Sequence, residues 1–200
     1  MNLSAHWDRI YQTRDTTSVS WYQPTPTSSL DRIQRHAALS DAILDVGAGA
    51  SFLADNLVDS GFSDVTVLDI SAAALGLVRD RVPAASFVTA DLLGWQPPRR
   101  FDLWHDRAVF HFLRDPADQQ RYQDTLLQAL EPGGVAVISA FHVDGPQRCS
   151  DLPTAQHDAD SLFAAVGGAA RFSLLEQAVD DHVTPKGIVQ RFQSVVLRRH

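Results

Sequence analysis

A chain of 200 residues, 44% hydrophobic and 20% charged, is long enough for one domain with a full core and too short for two without a clear linker; that balance excludes a fibre or a largely disordered chain. The net charge of −7 disfavours tight binding to a phosphate backbone, so nucleic acid is not an expected partner. A single cysteine, Cys149, rules out an intramolecular disulfide and a cysteine zinc cluster. No apolar run reaches ~18 residues and "MNLSAHWDRIYQTRD" lacks an apolar signal core, so the expectation is a cytoplasmic protein that does not enter a membrane.

In chain order, Trp7, Ile10 and Tyr11 fall at i, i+3 and i+4, which puts three large side chains on one face of a short helix. The irregular stretch "SVSWYQPTPTSS" follows. Ser28 to Leu39 then reads as a second helix, with Ser28 and Asp31 as a capping box and Leu30, Ile33 and Ala37 as its apolar stripe. Residues 1–40 are expected to cap a core at 41–200, the whole forming one domain.

From position 42, short apolar runs alternate with helical patterns: "AILDV" (42–46), "VTVLDI" (65–70), "ASFVTA" (85–90), "FDLWH" (101–105) and "VAVISAF" (135–141). Such alternation signals strand and crossover-helix units in a parallel sheet. Ala117 to Leu130 reads as one of the helices, ended by Glu131-Pro132-Gly133-Gly134. A helix from Asp158 to Val166 stops at Gly167-Gly168, and "RFSLLEQAV" and "IVQRFQSVVLRR" flank the turn-like "DDHVTPKG". Two strands so closely joined must be antiparallel, since a parallel pair needs a crossover of roughly a dozen residues. The expected fold is α/β: a doubly wound, mostly parallel seven-stranded sheet with a C-terminal antiparallel hairpin and an N-terminal helical cap.

In such sheets ligands bind beyond the carboxyl ends of the strands. The first run continues into "GAGAS", where Gly47 and Gly49 let the backbone turn tightly and approach a ligand. The second ends in Asp69, 22 residues after Gly47, where a carboxylate can accept both hydroxyls of a ribose. Asp91 follows the third and suits an exocyclic amine of adenine. Phe52 stands where a dinucleotide fingerprint wants its third glycine, and Asp45 would repel a pyrophosphate but welcome a cationic amine, which points away from NAD.

Taken in order, "LDVGAGAS", "VTVLDIS", "TADL" and "LEPGGVAVISAF" resemble the motifs of class I S-adenosylmethionine-dependent methyltransferases over about positions 41–141. The resemblance implies that S-adenosyl-L-methionine is the cofactor. It implies that Gly47 and Gly49 pass under it, Asp45 lies near its amino group, Asp69 holds the ribose, and Asp91 with Leu92 meets the adenine. Ser51, where the family often has a third glycine, and Ile70 beside Asp69 complete the expected set with His105 and the cap residues Tyr11 and Trp21. The N-terminal "HWDRIY...SWYQPTPTSSL" with "WHDRAVF" is also similar to small thiol methyltransferases and small protein-lysine methyltransferases.

The fourth run opens the cluster His105, Asp106, Arg107 and His111, four polar groups in an otherwise apolar stretch. His105 is the first candidate for a general base, oriented by Asp106, and His111 is the second; an imidazole titrates near neutral pH. Alternatively, Asp106 and Arg107 form a buried structural pair and His111 a satisfied core histidine. His142, Asp144 and His157 could extend the cluster to a metal site, but no i, i+4 histidine pair is present, and metal-free transfer is expected. Tyr11, Trp21 and Tyr22 suit a lid that excludes water and stacks on a sulfonium. "FHVDGPQRCSDLP" is expected as a further substrate wall, with Cys149 a packed residue rather than a nucleophile. The expected activity is methyl transfer to a small soluble acceptor (thiol, amine, hydroxyl or carboxylate) by a monomer or weak homodimer; the alternatives are a protein-lysine methyltransferase and a non-catalytic binding module of the same fold.

Overall fold

The computed structural model describes residues 2–200. Two helices, α1 (Leu3–Thr13) and α2 (Thr27–His36), precede an alternation of β1 (Ala42–Val46), α3 (Leu53–Asp59), β2 (Asp64–Asp69), α4 (Ala72–Arg81), β3 (Ser86–Thr89) and β4 (Phe101–Arg107). Then come α5 (Pro116–Ala129), β5 (Leu130–Phe141), a small ribbon of β6 (Arg148–Cys149) and β7 (Leu152–Pro153), α6 (Ala159–Ala165), and the hairpin β8 (Phe172–Val183) and β9 (Val189–Arg199). The main sheet has seven strands in the order β3-β2-β1-β4-β5-β9-β8. All neighbours are parallel except β5 with β9 and β9 with β8. The expected α/β architecture is the observed one.

Every residue of β1 is buried, as a central parallel strand covered on both faces requires. Successive side chains point to opposite faces, so each central strand feeds two cores. Ile43, Leu103 and Val137 pack with Ile33 of α2, Leu57 of α3 and Val78 of α4. Leu44, Trp104 and Ile138 pack with Tyr122 and Leu126 of α5. These two layers decide where each polar residue of β4 points.

Several boundaries differ from the sequence expectation. The predicted capping box on α2 does not form: Pro26 is the N-cap with no side-chain bond, Ser28 lies inside the helix, and the helix stops at His36 rather than Leu39. A capping box does form at α6, between Asp158 and Ser161. Glu131-Pro132-Gly133-Gly134 ends α5 but continues as strand, with the register slipping between Phe101 opposite Leu130 and Leu103 opposite Val135. In the hairpin, Asp180, Asp181 and His182 belong to β8 rather than to the turn, which spans 184–188 and is closed by the Thr184 amide on the Ile188 carbonyl. Asp180 is tolerated in the ladder because other elements partner it.

The N-terminal helices are fastened at two places. Asp8 of α1 accepts hydrogen bonds from Ser71 Oγ (2.7 Å) and the Ala73 amide (3.1 Å) at the start of α4. Buried Arg32 of α2 reaches Glu176 (3.2 Å) and Asp180 (3.0 Å) on β8. Among the described residues no helix is long and apolar enough to cross a membrane.

Candidate active site

Strand order reverses about β1, whose neighbours are β2 on one side and β4 on the other, so a crevice opens at the carboxyl ends of these strands. A cavity of about 450 Å³ fills it, within the range of small-molecule sites. Its floor carries Asp45, Asp69, Asp91 and His105, the four strand-end residues expected to share one rim. Gly47, Ser51, Ile70 and Leu92 also line it, and Tyr11, Trp21 and Tyr22 close it from the N-terminal side. Trp21 stacks edge-on against Trp7 (5.8 Å) and Tyr11 (6.3 Å).

Gly49 is the exception among the expected cofactor-binding residues, for it does not line the cavity. Its φ is +57° and that of Gly47 +61°, conformations that side chains other than glycine rarely adopt. The space a Cβ would need is taken by the protein itself: Tyr11 Oη would lie 2.2 Å from a Cβ at Gly49, and Val109 Cγ2 would lie 1.9 Å from one at Gly47. The two glycines admit the chain's own Tyr11 and Val109 as well as shaping the loop.

Asp69 organises that loop. Its carboxylate accepts from the Gly49 amide and the Ser71 amide, both at 2.7 Å, which locks β2 to the β1–α3 turn. Burial raises its pKa to about 6 against the pull of those two bonds. Each carboxylate oxygen retains lone-pair capacity for a further donor, such as a ribose hydroxyl. Asp91 is exposed and accepts from the Leu93 amide at 3.1 Å.

The central feature was only half legible in the sequence. Asp45 and His105 are register partners on β1 and β4, and His105 Nδ1 lies 2.6 Å from Asp45 Oδ1. His105 Nε2 lies 2.8 Å from Ser29 Oγ, 76 residues away on α2. With Asp45 ionised, Nδ1 is the donor and Nε2 of the neutral ring accepts from the Ser29 hydroxyl. All three residues are buried, all three line the cavity, and Ser29 was not foreseen. No local pattern marks it; its role follows from α2 packing over the end of β4.

Two of the expected catalytic residues, Asp106 and His111, lie outside the cavity. Asp106 points to the opposite face of β4, away from the cavity, so it does not orient His105. It is fully buried and accepts from Tyr122 Oη (2.7 Å), the Val109 amide (2.9 Å) and the Phe110 amide (3.2 Å). Burial raises its pKa to about 6 despite those donors. His111 is likewise fully buried outside the cavity, stacked on Phe141 (4.3 Å) and Phe112 (4.4 Å), with neither ring nitrogen hydrogen-bonded. Burial, with Arg107 nearby, depresses its pKa to about 3, so it stays neutral and out of contact with any acceptor. The satisfied core histidine is not observed either.

Nor do Asp106 and Arg107 pair, because adjacent strand residues face opposite ways. Arg107 shares the face of His105 and lines the cavity. Cys149, with Leu152 and Pro153 of the ribbon, forms part of the wall, while His142 and Arg148 do not. Burial pushes the Cys149 thiol up to about 11, which suits a packed residue. Among the described residues no group of three histidine, cysteine or acidic side chains is placed to hold a metal ion.

The fold is shared with solved methyltransferases, and residues 43–134 match the model of a methyltransferase domain. The chain is 35% identical over 96 residues to a trans-aconitate 2-methyltransferase of Rhizobium leguminosarum bv. trifolii, a match covering 48% of this chain and 36% of that protein. It is 24% identical over 171 residues to the eEF1A lysine and N-terminal methyltransferase of Bos taurus, covering 83% of this chain and 23% of the other. The chain thus spans little more than a third of the first relative and less of the second. Among solved structures, Burkholderia thailandensis 1,6-didemethyltoxoflavin-N1-methyltransferase, with 1,6-didemethyltoxoflavin and S-adenosylhomocysteine bound, superposes with a TM-score of 0.73 at 20% identity, over 98% of this chain and 87% of that one.

Proposed function

We propose that the protein is an S-adenosylmethionine-dependent methyltransferase acting on a small soluble acceptor, its residues 1–40 capping a core at 41–200 as one domain. The observation that carries this reading is the convergence of Asp45, Asp69, Asp91 and His105, from four successive strand ends, on one cavity of about 450 Å³. Carboxylates suit a cofactor whose sulfonium and ammonium are cationic and whose ribose offers hydroxyl donors. Asp69 takes the ribose hydroxyls, Asp91 and Leu92 flank the adenine, and Asp45 attracts the ammonium. Ile70, Ser51 and the Gly47 backbone shape the walls.

The cofactor supplies an electrophilic methyl group on sulfur, and the protein must place a nucleophile against it and dispose of a proton. Holding the reactants in line is worth up to ~7 to 11 kcal/mol. His105 Nε2 receives the acceptor's proton, relayed by the Ser29 hydroxyl that now occupies it, and Asp45 steadies the resulting imidazolium through Nδ1. Tyr11, Trp21 and Tyr22 exclude water and offer aromatic faces to the sulfonium. The single cysteine suits a cytoplasmic setting, and the enzyme works as a monomer or weak homodimer.

Purified protein incubated with methyl-labelled donor and a metabolite extract is expected to yield a small product ~14 Da heavier than its precursor. Tight donor binding with no such product from any extract would sink the reading. A protein-lysine acceptor is the second reading, supported by the relative that aligns with 83% of this chain; it requires a labelled protein band when the same donor meets a lysate.

A further inference from the structure

Resting on that reading, we propose that the methyl acceptor carries a carboxylate, bound by the guanidinium of Arg107. Arg107 stands at the end of β4 on the same face as His105 and lines the same cavity. Its Nη1 reaches only the Trp21 carbonyl, at 3.5 Å, and its buried Nη2 has no hydrogen-bond partner. On one side of it the structure is apolar: its guanidinium carbon lies 4.6 Å from the centre of the Phe192 ring, within a cluster formed with Phe141, Cys149, Trp21 and Phe112. A half-buried cation with one nitrogen fully buried and unpartnered calls for an anion.

Among the described residues no carboxylate forms an ion pair with it. Asp180, the carboxylate whose charge Arg107 feels, is engaged by Arg32 at 3.0 Å and by the Ser194 hydroxyl at 2.7 Å. His111 and His182 are both held toward the neutral form, so neither competes for an anion nor supplies one. Arg114, the other arginine lining the cavity, is exposed. The strand-end charges are segregated along the sheet: Asp45, Asp69 and Asp91 come from the β1, β2 and β3 side and Arg107 from β4, while the remaining lining carboxylates, Asp115 and Asp118, belong to the start of α5. A cationic donor on the first side and an anionic acceptor on the second satisfy both. Arg107, with its planar pair of donors, matches a carboxylate geometrically.

The competing explanation is a buried water. A second cavity of about 20 Å³, lined by Arg107 with Ser139, Ser194 and His182, is large enough for one. The two are separated by titrating the protein saturated with S-adenosylhomocysteine with trans-aconitate, malonate and phenylacetate, each beside its primary amide. At least one acid is expected to bind 10-fold or more tightly than its amide. R107Q should remove that preference while leaving S-adenosylhomocysteine affinity unchanged, and R107K should retain part of it. Equal binding of acids and amides, no binding of either, or an acid preference that survives in R107Q overturns the proposal and leaves the water as Arg107's partner. If R107Q does not fold, the acid-to-amide ratios of the wild type and R107K decide by the same criteria. Failure of the wild type to take up S-adenosylhomocysteine overturns the methyltransferase reading itself, and this proposal with it.

Discussion

His105 and Asp106 are consecutive residues of one strand, both ionisable and both buried, yet they belong to different halves of the molecule. His105 faces α2 and the cavity, joined to Asp45 and Ser29. Asp106 faces α5 and the core, where it ties Tyr122 to the turn after β4. A polar residue in an apolar strand can serve either chemistry or architecture, and the phase of the strand selects which. The Asp106 side is saturated by three donors from the protein, whereas the cavity side keeps groups whose capacity is not spent.

The largest effect is expected from Asp106→Ala, which leaves the Tyr122 hydroxyl proton and the Val109 and Phe110 amides without their acceptor. It should lower unfolding free energy by about 3 to 5 kcal/mol in a denaturant titration, with Asp106→Asn recovering much of the loss. A stable Asp106→Ala protein with no turnover would erase the contrast between the two faces. His105→Gln should do the reverse, lowering turnover by roughly 10²-fold or more, as loss of a general base does, with S-adenosylhomocysteine affinity within a few-fold of wild type. Normal turnover in that variant, with any acceptor the extract supplies, removes His105 from the chemistry.

Asp69→Ala should weaken S-adenosylhomocysteine binding by roughly 1 to 3 kcal/mol in calorimetry, the loss expected for unmade hydrogen bonds to hydroxyls. A subtler test lies in pH. Burial raises Asp69 to about 6, so its acceptor form dominates above that pH and fades below it. Cofactor affinity should therefore be level from pH 7 to 8 and fall by about a factor of five between pH 6 and 5, and Asp69→Asn should flatten the curve. For the protein without ligand the sign is opposite. A raised carboxyl pKa means the native state binds more protons than the unfolded chain between about pH 4 and 6, so this group's contribution to stability declines as pH rises through that window. A cofactor affinity independent of pH would detach Asp69 from the ribose.

The strand ends were legible because each parallel strand is a short apolar run finishing in a polar residue, and four such endings in register define a rim. The phase of β4 was not. Leu103, Trp104, His105 and Asp106 are all buried, so no alternation of apolar and polar residues tells inside from outside. Asp106 was therefore assigned to His105's side. His111 looked like a second base because it follows six residues later, but a short 3₁₀ turn over Phe110–Phe112 rolls it into the core. Ser29 was invisible for a different cause: its partner lies 76 positions along the chain, and only the docking of α2 joins them. Arg107 was readable as part of the cluster, but its missing counter-charge appears only when Asp180 is seen occupied by Arg32.

The Arg32 clasp also bears on how the protein is made. Arg32 is translated 144 residues before Glu176 and 148 before Asp180, so the clasp on α2 cannot close until β8 has been made. The wall that bears on His105 is thus synthesised well before the strand that clasps it. Clipping the C-terminal hairpin should consequently spoil a pocket to which that hairpin lends hardly a side chain.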